Sequence, residues 1–100
     1  SHRRMVIDIG GGSTEIIIGK GYDIYKMESF YVGCVSMTHR FFGTDGISKK
    51  NMNSAILKVR QELEVVEAPF EKLGWERAIG SSGTILAIHD IVKNKGWSGN

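Results

Sequence analysis

Met5-Val6-Ile7-Asp8-Ile9-Gly10-Gly11-Gly12-Ser13-Thr14-Glu15-Ile16-Ile17-Ile18 decides how this chain folds and where its chemistry lies. An apolar run enters an acid, three consecutive glycines follow, then two hydroxyl residues and a second acid, and an isoleucine run leaves. β-branched residues favour strands on both sides, so the glycines read as the turn of a strand–loop–strand hairpin. Adjacent glycines lose much backbone entropy on ordering. They are tolerated where the chain turns sharply or comes very close to a ligand. Without Cβ atoms, the amides of Gly10, Gly11, Gly12, Ser13 and Thr14 can converge on one anion. Asp8 and Glu15 stand at the two shoulders, carboxylates of the kind that hold a metal and an attacking water beside a phosphate. A glycine-rich β-turn between two core strands is the plain alternative, and the flanking acids weigh against it.

The motif differs from its relatives. A Walker loop requires a lysine before Ser/Thr, and Ser13-Thr14 directly follows the last glycine. A dinucleotide fingerprint requires a third spaced glycine where Glu15 stands, and a helix after the turn. A second cluster, Gly80-Ser81-Ser82-Gly83-Thr84, follows the short strand Arg77-Ala78-Ile79 and opens an apolar helix. Ser82 is its expected N-cap, and the amides of such a helix start are a second place for phosphate. A tight packing turn is the alternative. The cluster is also close to the nucleophile elbow, but position 84 is Thr where that motif has Gly, and no triad accompanies it.

Taken together, the two loops resemble the exopolyphosphatase / guanosine pentaphosphate phosphohydrolase family of the actin-like ATPase and sugar-kinase superfamily. The resemblance rests on Val6 to Glu15, Gly33-Cys34-Val35-Ser36 and Gly80 to Thr84 in this order and at these intervals. Met27-Glu28-Ser29 is more similar to the exopolyphosphatase branch. The resemblance implies an enzyme with two lobes facing a cleft, which cleaves a terminal phosphoanhydride of polyphosphate or guanosine pentaphosphate with Mg²⁺. It places Asp8 and Glu15 as catalytic and metal-holding acids. Gly10 to Thr14 would hold phosphoryl oxygens, and Gly80, Ser81, Ser82, Gly83 and Thr84 would close the site. The general base belongs to a first lobe that precedes these motifs. The chain is therefore expected to be a single partial domain over 1–100, the start of a second actin-like lobe, inactive by itself. A second lobe from another actin-like kinase, or a non-catalytic phosphate-binding module, stays open.

The fold class expected is α/β: a partial actin-like (ribonuclease H-like) lobe. Its mixed sheet is an antiparallel three-strand meander plus a parallel strand, with helices packed on it. Met5 to Ile9 and Glu15 to Gly19 read as central strands buried on both faces. Tyr22 to Val32 reads as a third strand with one wetter face, stopped by Gly33. Val35 to Phe42 reads as a short helix with Met37 and Phe41 inward, followed by the loop Gly43 to Gly46. Ser48 caps the longest helix, whose stripe is Met52, Ile56, Val59, Leu63, Val66, Phe70 and Leu73. Pro69 predicts a kink there or two helices meeting, and Gly74 ends the segment. A last helix spans Thr84 to Lys95, and Gly96 to Asn100 reads as a loop leading onward.

Composition narrows the partners. In 100 residues the net charge is +2 and 41% are hydrophobic, too mild a charge to point to nucleic acid. No run approaches the ~20 apolar residues of a membrane helix, so no membrane insertion is expected. A single cysteine permits no internal disulfide, which fits a cytoplasmic protein. His2-Arg3-Arg4 and Lys49-Lys50 read as solvated surface. Cys34 reads as buried, His39 and His89 as surface or packing residues, and Trp75 and Trp97 as covers of the core edge. An unpaired sheet edge can drive association, so a homodimeric parent is among the expectations.

Overall fold

The computed structural model describes residues 2–43 and 46–96. Thr44 and Asp45 of the expected loop, and Trp97 with the rest of the expected exit segment to Asn100, lie outside the described residues. Strands β1 (Arg4–Ile9), β2 (Thr14–Lys20) and β3 (Asp23–Phe30) form the antiparallel meander, and β4 (Arg77–Ser81) pairs parallel with β1. The sheet order is β3-β2-β1-β4, as the α/β reading required. A register shift between Ile18 and Gly19 bulges β2 against β3.

Strand register determines which side chains meet a helix. Ile7 lies opposite Ile16, Met5 opposite Ile18 and Thr14 opposite Phe30. Facing residues of paired strands share one face of the sheet. That face carries the core: Ile16, Ile18, Phe30, Val66 and Phe70 are buried, with Met5, Ile7, Val32, Leu63 and Leu73 packed around them. Ile18 is fully enclosed. The core helix is α2 (Lys49–Leu73). Helix α3 (Ser82–Asn94) lies on the same side, because its Ile85 sits over Gly80, and Gly80 faces Ile7. The opposite face, with Val6, Ile17, Met27 and Ile79, is covered by neither helix. This corrects the expectation of strands buried on both faces: β2 alternates buried and half-buried along its length.

Helix α2 begins where its sequence says. Ser48 is extended and its hydroxyl accepts from the Asn51 amide at 3.1 Å. Gly74, at φ 76°, closes the other end. Arg3 also donates through its guanidinium to the Leu73 carbonyl, a cation placed at a helix C-terminus where the backbone dipole favours it. Arg3 is therefore a half-buried cap rather than solvated surface. The helix continues in one piece across Pro69, not as two helices. Pro69 faces solvent while Phe70 and Leu73 beyond it reach the sheet. Burying a side chain such as Phe70 gains about 1.5–3 kcal/mol, enough to offset much of the ~3 kcal/mol cost of an interior proline.

At 25 residues α2 is about 37 Å long, whereas strands of 6–8 residues span roughly 20–27 Å. Its first turns overhang the sheet. Met52 and Ile56 of the expected stripe stay exposed there, and Ala55 is buried instead. Between β3 and α2, α1 (Cys34–Met37) runs into a π-helical turn over Thr38–Phe42, with Met37 and Phe41 half-buried. Helix α3 starts at Ser82, two residues before the position expected. In this chain Phe70→Ala is expected to cost about 3–5 kcal/mol in a urea unfolding titration, while Met52→Ala stays within about 0.5 kcal/mol. Equal losses would contradict an overhanging helix.

Candidate phosphate-binding site

The turn between β1 and β2 is held from behind. The Gly10 amide donates to the Ser13 carbonyl at 2.9 Å, closing the hairpin. The carbonyls of Gly10 and Gly11 accept from the first amides of α1: Cys34 to Gly10 at 3.1 Å, and Val35 and Ser36 to Gly11 at 2.9 and 3.0 Å. Gly33 makes this docking possible. A Cβ there would overlap the Gly11 carbonyl and come within 2.6 Å of the Gly12 nitrogen. Thr14 is buried, and its hydroxyl donates to the Val32 carbonyl, tying the hairpin to the end of β3.

These bonds divide the expected cradle into two groups. The Gly10 amide and the Thr14 hydroxyl are consumed inside the fold. The amides of Gly11, Gly12 and Ser13 donate to no backbone carbonyl outside the regular elements among the described residues, and Gly11 and Gly12 are exposed. With its carbonyls turned toward α1, the loop leaves a short run of donors free at its tip, the arrangement that suits an anion.

Asp8 and Glu15 lie directly opposite one another in the β1–β2 register. Their side chains therefore leave the same face of the sheet, the one without a helix, and both are half-buried. Like charges directly opposite in a strand pair oppose each other, and neither acid has a salt-bridge partner among the described residues. A cation between them would relieve that repulsion. No group of three or more His, Cys, Asp or Glu side chains that could hold a metal ion exists among the described residues. Glu15 also accepts a hydrogen bond from Ser29 at 2.9 Å.

The second glycine cluster lies beside the first. Asp8 faces Ser81 across the β1–β4 pair. The N-cap of α3 is Ser81, not Ser82, and its side chain makes no capping bond. Ser82 takes φ 82° and donates its hydroxyl to the Ile9 carbonyl at 2.7 Å. It therefore fastens the two loops together instead of capping the helix. Gly80 allows α3 to sit close, since a Cβ there would overlap Ile85. Gly83 is exposed, while Thr84 is half-buried and its hydroxyl lies 3.5 Å from the Cys34 sulfur. Cys34 is exposed, not buried, because α1 presents its amides and not its side chains to the hairpin. His39 and His89 are on the surface, as expected. A separate apolar hollow of about 690 Å³ lies between the sheet and α2, bordered by Met5, Leu63, Phe70 and Trp75. It shares no residue with either glycine loop.

Residues 1–98 match the profile of the Ppx/GppA phosphatase family. The chain belongs to this family. It is 38% identical over 96 residues to a guanosine-5'-triphosphate,3'-diphosphate pyrophosphatase of Photobacterium profundum, and 39% identical over 94 residues to one of Vibrio cholerae. These alignments cover 96% and 94% of the chain but 19% of each relative, so the chain spans about a fifth of their length. Among solved structures, the PPX-GPPA enzyme of Aquifex aeolicus matches with a TM-score of 0.71 at 29% identity, over 92% of this chain and 29% of that one. An exopolyphosphatase-like protein matches with a TM-score of 0.73 at 28% identity, over 83% and 27%. Both solved structures share this chain's actin-like fold, and the names of the relatives show the family without separating its branches.

Ser29 and Gly33 were not singled out as site residues from the sequence. Both stand in tracts that carry the family resemblance, and Gly33 also ends a strand; the sequence assigns neither a role, because the docking of Gly33 on Gly11 and the link from Ser29 to Glu15 need the closed fold. For this Ppx/GppA chain, Gly33→Ala is expected to destabilise the fold by about 1–3 kcal/mol, the usual cost of forcing atoms into a filled contact. It should also shift the amide resonances of Gly10 to Ser13. Unmoved resonances would show that the α1 docking does not shape the loop.

Proposed function

We propose that this chain is the phosphate- and cation-holding half of a phosphoanhydride hydrolase. It would form the beginning of the second lobe of a longer protein that acts in the cytoplasm. The observation that carries the reading is the juxtaposition of the free amides of Gly11, Gly12 and Ser13 with the cross-strand pair Asp8 and Glu15. Family membership supports the reaction class, and the names of the relatives support guanosine pentaphosphate or polyphosphate as substrate.

The chemistry follows from charge. Water attacks the terminal phosphorus, the bond from phosphorus to the bridging oxygen breaks, and the shortened phosphate leaves with that oxygen. The transition state spreads negative charge over the equatorial oxygens of the transferred group. Fixed amide donors meet that charge without reorganising, and here Gly11, Gly12, Ser13 and the Ser13 hydroxyl fill this role. Asp8 and Glu15 would hold Mg²⁺, which when bound neutralises phosphate charge. Ser81 stands next to Asp8 across the β1–β4 pair. The proton of the attacking water goes to a base outside this chain, as the family resemblance implies.

Two measurements test this reading. Titrating inorganic phosphate into the 100-residue chain should move the amide resonances of Gly11, Gly12 and Ser13 and leave that of Gly10, already bonded to Ser13, nearly still; no movement at the tip would leave a purely structural turn. In the full-length protein, Asp8→Ala should lower phosphate release from guanosine pentaphosphate or polyphosphate by on the order of 10²-fold or more, the rate equivalent of several kcal/mol. The 100-residue chain alone should show no turnover. Phosphate release by the isolated chain, lost on Asp8→Ala, would overturn the division of the site between two lobes.

A further inference from the structure

Four side chains form a single row across the sheet. Ser29 faces Glu15, Glu15 faces Asp8, and Asp8 faces Ser81. Opposed residues share a face, so the row runs hydroxyl, acid, acid, hydroxyl over the face that no described helix covers. Only one link in the row is bonded directly among the described residues: Ser29 Oγ donates to Glu15 Oε2 at 2.9 Å. A glutamate has one more side-chain torsion than an aspartate, and Asp8 beside it repels it. Left free, the Glu15 carboxylate would swing out toward solvent. The Ser29 hydroxyl opposes that motion, holds one oxygen and leaves the other open. Local structure does not call for serine at this place, because an exposed strand position is better served by threonine or valine.

We propose that Ser29 is a positioning residue that holds the Glu15 carboxylate in place beside Asp8 for a divalent cation. The inference rests on the reading of Asp8 and Glu15 as the cation-holding pair. Groups that orient a metal's carboxylate ligands typically change its affinity by about 10–100-fold when removed. Ser29 touches neither phosphate nor cation; it acts through Glu15.

The test uses the full-length protein, with Mn²⁺ as the probe, titrated without substrate and followed by electron paramagnetic resonance. Ser29→Ala should weaken Mn²⁺ binding by about 10-fold, the lower end of that range. It should raise the Mg²⁺ concentration for half-maximal phosphate release by a similar factor, and leave the rate at saturating Mg²⁺ and the melting temperature near their original values. Ser29→Thr, which keeps a hydroxyl donor on the same strand, should restore Mn²⁺ affinity. A Ser29→Ala protein that binds Mn²⁺ as before, while Asp8→Asn does not, would overturn the role of Ser29 alone. Undiminished Mn²⁺ binding by Asp8→Asn would overturn the cation-holding pair, and the role of Ser29 with it. A fall in melting temperature with unchanged Mn²⁺ affinity would reduce the Ser29 bond to ordinary strand pairing.

Discussion

The contact on which the site depends is backbone against backbone: Gly33 lies against Gly11 and Gly12, and the first amides of α1 bind the carbonyls of Gly10 and Gly11. A run of three glycines has no side chains to fix its shape, and many backbone conformations are open to it. The amides of Cys34, Val35 and Ser36 choose one of them. Because the carbonyls are bound on one side, the Gly11, Gly12 and Ser13 amides remain at the tip. The polar groups that could have competed for an anion's place are spent on architecture: Thr14 on Val32, Ser82 on Ile9, and Gly10 on Ser13.

The rest of the fold supplies a rigid base for that loop. Ile16 and Ile18 of β2 are pressed by Val66 and Phe70 of α2, so the strand that leaves the hairpin is fixed by the core. The strand that enters it, β1, is clamped between β2 and β4. The acids belong to these same strands, but face away from the helices. Alternation along a strand thus does two jobs in one segment: Ile7, Ile9, Thr14 and Ile16 point toward the helical side, and Asp8 and Glu15 point to the open side. A slip of one residue in register would reverse every one of these directions.

Much of this was legible in the residues. The β-branched runs about the glycines gave the hairpin, Ser48 and Gly74 gave both ends of α2, and the spacing Leu63-Val66-Phe70-Leu73 gave its buried stripe. The failures share a cause. The exposure of Met52 and Ile56 depends on how far α2 outruns the sheet, and the one-sided burial of β2 depends on where α3 packs. The use of Ser82 as a tie and not a cap depends on β4 continuing to Ser81. The exposure of Cys34 depends on which way α1 meets the hairpin. None of these distances is a property of a local window.

By itself, the sequence determined the type and order of the elements, because hydrophobic period, turn chemistry and capping act over a few residues. It also marked the glycine-rich hairpin with its two acids as the candidate site, since adjacent glycines lose much backbone entropy on ordering. Tertiary structure alone decided which donors are free and which acids share a face. Hydrogen-bond partners far apart in the chain, such as Val35 with Gly11 and Ser29 with Glu15, are chosen only when the sheet and helices have closed on one another.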